Sequence, residues 1–231
     1  MNTDFNNEDR SNILPVFQTR NETKAYYNKI ARFYDLLADH SEAPIRYQAI
    51  KELGPKVGDR ILEIGFGTGH GLVNLSNSVG DKGKVYGIDL SEEMVKIARK
   101  RLEKNDLIQR TTLLCGEAED LPFDEGIMDA VFMSFTLELF DTPKIPVVLS
   151  ECWRVLRPGG RIAVAGLSKT GKKQAIVKAY EWSHRHFPNL LDCRPIFVKE
   201  ALEEAGFVIE CSKSISMWLT VEIVVAVKKH L

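Results

Sequence analysis

The 231-residue sequence predicts a doubly wound α/β fold: a mostly parallel seven-stranded sheet, helices on both faces, and an antiparallel strand pair at the C-terminal end. Three observations carry this. Short apolar runs alternate with amphipathic segments, and repeated β-then-α units pack as parallel strands joined by crossover helices. Residues 60–71, R-I-L-E-I-G-F-G-T-G-H-G, are an apolar run that breaks into glycines, after which Leu72, Val73, Leu75 and Val79 recur at helical spacing. The last two apolar runs are joined by a short turn, which suits an antiparallel pair.

Composition bounds the function. Apolar residues make up 44% and charged residues 27% of the chain, the balance of one globular domain with an ample core. A net charge of −1 argues against a broad nucleic-acid surface, because phosphate binding needs clustered cations. Cys115, Cys152, Cys193 and Cys211 lie far apart with no C-x-x-C pair, so buried thiols in a reducing compartment are expected rather than a metal site or disulfides. No apolar run reaches the length of a membrane span, and the polar, acidic residues 1–10 are unlike a signal peptide. A cytoplasmic protein is expected.

Taken in order, residues 1–22 are rich in Asn, Asp and Glu and read as a mobile tail ahead of a single domain, residues 23–231. Residues 23–38 read as an amphipathic helix with a dense set of tyrosines, Tyr26, Tyr27 and Tyr34. These suit either ordinary packing or a lid over a pocket. Residues 43–53 form a second helix with Pro44 in its first turn, so that 23–53 make an N-terminal lid unit. Strand one leads into the glycines. K-V-Y-G-I-D at 84–89 is strand two. Residues 92–104 form a helix capped by Ser91, acidic in its first turn and basic in its last. Strands follow at 111–115 and 129–134. A helix at 141–156 ends at Arg157-Pro158-Gly159-Gly160, and strand five is expected at 161–166. Helices at 172–187 and 198–205 precede the closing strands, 207–214 and 218–227.

Ligands of such sheets sit at the C-terminal ends of the strands. Gly65, Gly67, Gly69 and Gly71 follow strand one, more glycine than a turn needs, and a helix N-terminus follows them with free N–H groups. Asp89 ends strand two, where a carboxylate can accept ribose hydroxyls. Leu90 and Met94 suit either an adenine sandwich or core packing. Gly116-Glu117-Ala118-Glu119 follows strand three. Ser134 closes strand four, and Glu138 beyond it reads as exposed or as attracting a cation. His70 stands where a dinucleotide fingerprint wants its third glycine, which counts against a dehydrogenase.

E-I-G-F-G-T-G, V-Y-G-I-D-L-S, G-E-A-E-D-L-P-F and E-C-W-R-V-L-R-P-G-G-R, in that order, resemble the motif series of class I S-adenosylmethionine-dependent methyltransferases. The nearest set is the type 11 small-molecule group, with the ubiquinone/menaquinone-biosynthesis C-methyltransferases as relatives. Tyr27 and Phe33-Tyr34-Asp35 resemble the aromatic N-terminal helix of those enzymes, and the match spans residues 26–166. The resemblance implies a Rossmann-like sheet and S-adenosylmethionine as cofactor, with S-adenosylhomocysteine as product. It implies that Glu63, Gly65, Gly67 and Gly69 surround the methionine part, Asp89 holds the ribose, and Leu90 and Met94 flank adenine. Glu117 and Ala118 would meet the adenine edge, Ser134 the amino-acid end, and Tyr34 would cover it. Phe66 and Glu117 depart from the commonest residues of the family.

Methyl transfer from a sulfonium is an in-line displacement in which alignment supplies much of the acceleration. A phenol or acidic ring carbon as acceptor calls for a base, and His184, His186, Glu138 and Tyr27 are the candidates. The partner expected is a small molecule, of a quinone-type ring or lipid-like class; no nucleic acid is expected, and a homodimer is left open. The alternatives are a non-catalytic cofactor sensor and a methyltransferase acting on protein or RNA. The Asn-Pro-Pro-Tyr signature of amino-methylating relatives is absent after strand four.

Overall fold

β1 (Arg60–Ile64) lies at the centre of the sheet, paired in parallel with β2 (Lys84–Asp89) on one side and β4 (Met128–Ser134) on the other. These relations come from a computed structural model that describes residues 13, 16, 19–34, 40–169, 194–216 and 219–229, leaving aside the side chains of 20, 32–34, 40 and 41. β3 (Thr111–Cys115), β5 (Leu156–Leu167), β6 (Val208–Ser216) and β7 (Thr220–Val227) complete the order β3-β2-β1-β4-β5-β7-β6. β7 runs antiparallel to both neighbours, as the closing strand pair predicts. The direction of winding reverses between β1 and β4, which is where doubly wound sheets open a crevice.

Two apolar layers clamp the sheet. α2 (His40–Leu53), α3 (His70–Val79) and α4 (Glu92–Lys104) cover the face that carries Ile61, Val85, Phe132 and Val225. α5 (Ile145–Val155) and α6 (Val198–Glu204) cover the face of Leu62, Val131, Val164 and Val224. Neighbouring residues of β1 therefore serve opposite cores, the pattern of a strand buried on both faces. Arg161 of β5 ties α2 to the sheet: its Nη1 donates to the carbonyls of Leu53 and Gly54 at 2.7 Å each, satisfying a helix C-terminus.

Local chemistry sets several boundaries. α4 starts where expected because Ser91 Oγ accepts the Met94 N–H at 3.1 Å. α1 (Arg20–Tyr34) begins three residues before the expected start at 23. The cause is a capping box: Thr19 N–H donates to Glu22 Oε2 at 2.7 Å and Glu22 N–H to Thr19 Oγ1 at 3.4 Å. β5 begins at Leu156 rather than at 161, so Pro158-Gly159-Gly160 is not the stop it resembles. Gly159 N–H donates to Lys228 O at 2.8 Å and Lys228 N–H to Gly160 O at 2.9 Å, so pairing with the far end of the chain carries the strand through. The opening of the helix expected at 141–156 is a 3₁₀ turn, Thr142–Lys144, capped by Asp141. The helix expected at 172–187 lies outside the described residues.

Candidate active site

A cavity of about 380 Å³ lies over the C-terminal ends of β1, β2 and β4, at the switch point. Glu63 contributes to its floor. It shares a face of β1 with Ile61, is 2% exposed, and sits beneath the start of α3. A Cβ on Gly71 would lie 2.0 Å from Glu63 Oε1, so only glycine at 71 leaves room for that carboxylate. Glu63 Oε2 is buried with no hydrogen-bond partner among the described residues. Removal from water pushes the Glu63 pKa up to about 8; the Arg46 guanidinium pulls it down, and Asp89 adds to the rise.

The glycine turn lies on one wall. Gly65 has φ 67°, and a Cβ there would meet Thr136 Cγ2 at 2.3 Å, so the segment just after β4 closes directly onto the turn. Gly69 precedes α3 with no side-chain cap, which leaves the first-turn amides available to an acceptor. Phe66, expected at the ligand, has its ring beneath Gly87, where a Cβ would come within 2.7 Å of Phe66 Cδ1. It is therefore as much a core residue as a wall of the cavity.

Asp89 bridges two loops. Its Oδ2 accepts the Gly67 N–H and its Oδ1 the Ser91 N–H, each at 2.9 Å. Removal from water raises its pKa to about 6, against the pull of these backbone donors. Leu90, Met94, Glu117 and Ala118 line the cavity beyond it. Met94 is 1% exposed, so it serves core and cavity together. The loop that carries Glu117 and Ala118 is anchored at its far end, where Arg154 donates to the carbonyls of Phe123 and Leu121 at 2.7 and 2.9 Å. Ser134 Oγ is buried on the opposite wall with no partner among the described residues.

Of the expected bases, Tyr27 lines the cavity. Glu138 is neither exposed nor on the wall. It is 0% exposed, and its Oε1 accepts the Leu167 N–H at 3.0 Å, holding the end of β5. His184 and His186 lie outside the described residues, as does the side chain of Tyr34, the last residue of α1. Sequence reading missed Arg46, which reaches the cavity from a helix with no motif of its own. It saw His70 only as a departure from a fingerprint, although His70 is on the wall. It also missed Phe135, whose φ of 52° puts a bulky residue in the left-handed region at the cavity edge.

This donor set fits a ligand with a cationic group at one end, a diol in the middle and a flat heterocycle at the other. The unpartnered Glu63 Oε2 and Ser134 Oγ answer the first, Asp89 the second, and the slot of Ile88, Leu90, Met94 and Ala118 the third. S-adenosylmethionine has this form.

Comparison with known proteins agrees. Residues 61–160 match the family described as methyltransferase domain. The chain is 31% identical over 207 residues to a demethylmenaquinone methyltransferase of Lactococcus lactis, spanning 79% of this chain and 80% of the relative. It is 32% identical over 170 residues to the chloroplastic 2-phytyl-1,4-beta-naphthoquinone methyltransferase of Arabidopsis thaliana, spanning 71% of this chain and 64% of the relative. A crystal structure of a SAM-dependent methyltransferase from Aquifex aeolicus superposes with a TM-score of 0.66 at 27% identity, covering 87% of this chain and 98% of the other. The chain therefore belongs to the class I S-adenosylmethionine-dependent methyltransferases, and its activity is methyl transfer from that cofactor to a small-molecule acceptor.

Proposed function

We propose that the acceptor is a quinol-type ring carrying an apolar chain, and that the new bond forms at a ring carbon. The observation that carries this reading is the make-up of the cavity. It runs from the polar end at Glu63 to an apolar wall of Phe135, Leu139 and Phe140, with Tyr27 above. The names of the relatives, which act on demethylmenaquinone and on a phytyl naphthoquinone, support the same class.

The bound cofactor supplies an already activated methyl group. The protein's part is alignment, and alignment alone is worth several orders of magnitude. In this reading Glu63 takes the amino group of the methionine part, and Arg46 its carboxylate. Gly65, Gly67 and Gly69 give it a backbone surface, and Ser134 a hydroxyl. Asp89 receives the ribose hydroxyls while keeping its bonds to Gly67 and Ser91, since a carboxylate has more acceptor sites than those two donors use. Leu90 and Met94 flank adenine, with Glu117 and the Ala118 backbone at its edge. Tyr27 and His70 are the wall residues suited to receive the acceptor's proton, and His184 and His186 remain candidates; Glu138, engaged by Leu167, is not one. A cytoplasmic location goes with this reading, supported by the free thiols of Cys115, Cys152 and Cys211, although of these only Cys152 is buried as expected; Cys211 is half-buried and Cys115 exposed.

Calorimetry with S-adenosylhomocysteine tests the cofactor half. Micromolar binding is expected, and Asp89→Ala should weaken it by about 1.5–3 kcal/mol through lost charge-assisted bonds. Labelled S-adenosylmethionine tests the acceptor half. Label should pass to a prenylated naphthoquinol lacking its ring methyl, and not to water-soluble amines. Label recovered only in the amines would overturn the acceptor assignment.

A further inference from the structure

Polar contacts join α1 to the N-terminus of α4. Among the described side chains of α1 only Ala31 is buried, so little apolar burial fixes it. Thr23 and Tyr27, one turn apart, line the cavity together with Thr19 just ahead of the helix. The adjoining flank meets the N-terminus of α4. There Asn28 Oδ1 accepts the Ser91 hydroxyl at 2.6 Å and the Glu93 N–H at 3.3 Å, while its Nδ2 donates to Glu92 Oε2 at 3.4 Å. Lys24 adds an exposed ion pair to Glu92 at 2.7 Å.

Ser91 is the point where two bond chains meet. Its backbone N–H holds Asp89 Oδ1, its hydroxyl oxygen accepts Met94 N–H, and its hydroxyl proton goes to Asn28. Asp89 in turn holds Gly67 of the glycine turn. One residue thus joins the carboxylate beneath the ligand to the helix above it. A ligand hydroxyl on Asp89 restrains that carboxylate. The residue whose N–H holds Asp89 is the one whose hydroxyl donates to Asn28, and it is 0% exposed.

We propose that Asn28 is a positioning residue, whose amide on the Ser91 cap latches α1 over the cavity and ties its closure to engagement of Asp89. The proposal rests on the assignment of Asp89 to the cofactor. Asn28 does not itself line the cavity. Its effect is to seat Thr23 and Tyr27 as a wall, and so to slow escape of whatever lies beneath.

The test uses the full chain with S-adenosylhomocysteine as probe, comparing wild type, Asn28→Ala, Asp89→Ala and, as a control on the exposed side of the same helix, Lys29→Ala. Hydrogen exchange should show α1 gaining protection on ligand addition in wild type and in Lys29→Ala, but not in Asn28→Ala. Stopped-flow measurements should show S-adenosylhomocysteine leaving Asn28→Ala about tenfold faster, with its association rate within about twofold of wild type and unliganded melting unchanged. Equal protection of α1 with and without ligand in wild type, or an unchanged dissociation rate in Asn28→Ala, overturns the latch. If those negatives occur while Asp89→Ala loses affinity, the cofactor assignment survives and the latch alone falls. If wild type does not bind the probe at all, both fall.

Discussion

Glu63 is a carboxylate kept in a place that penalises its charge, and that conflict has a pH signature. Its native pKa is pushed up to about 8 from an ordinary 4.5. Between those values the native state holds a proton that the unfolded chain has released. Unliganded stability should therefore fall as pH rises from about 5 to about 8 and level off above. Glu63→Gln should flatten that slope and leave the part between about pH 4 and 6 that comes from Asp89, which thermal melts across the range would measure. A slope unchanged in the variant would assign it elsewhere. Asp89 was picked out in the sequence as a carboxylate at a strand end near the glycines, whereas Glu63 entered only through the resemblance to a family; both line the cavity. Arg46 was not legible, since nothing in its own helix distinguishes it from a surface arginine. Phe135 was not either: a left-handed backbone costs a bulky residue roughly 1–2 kcal/mol, and no local pattern announces it. Such strain is retained where the surroundings over-determine it, and here the Phe135 N–H is held to Ala165 O at 2.7 Å beside the glycine turn.

Elements were legible in proportion to how local their causes are. α4 carries its own cap, charge gradient and apolar face, and its bounds match expectation. β5 depends on a partner some seventy residues later, and that long-range pairing overrides the look of Pro-Gly-Gly. The end of α5 shows the same dependence. Lys228, only 7% exposed, donates to the carbonyls of Trp153 and Leu156 at 2.7 Å each, with its ammonium 5.5 Å from the Trp153 ring. Those carbonyls lie at and just past a helix C-terminus, where carbonyl acceptors lack intrahelical donors. Lys228→Met should therefore destabilise the protein by about 2–3 kcal/mol, as expected for losing charge-assisted bonds in a buried setting. That would lower Tm by roughly 5–10 °C in a chain of this size. Differential scanning calorimetry would decide it. A shift under about 2 °C would mean that water replaces the ammonium.

At the scale of the molecule, the sheet gathers the floor and the strand-end walls of the cavity at the C-terminal ends of its strands. β1, β2 and β4 end together at the switch point, and the floor, the ribose-facing carboxylate and the Ser134 wall follow from that alignment. The class of sheet, mostly parallel with an antiparallel closing pair, was legible because β-then-α units leave few topologies open. The roof was expected as an N-terminal lid helix with its tyrosines; what no local pattern announced is its attachment through side-chain bonds to α4. The place of β7 has a consequence for how the chain is made. It lies between β5 and β6, although it is the last strand to be synthesised. The strands that carry the cavity can pair while the chain is still growing, but β5 and β6 each await the final strand along an edge of bare amides and carbonyls. A chain ended after residue 216 should keep that edge open and collect in the pellet on expression, whereas one ended after residue 229 should behave as the full chain does. The strand at 220–227 thus governs whether a nascent chain survives to use a site whose described lining ends at Lys144.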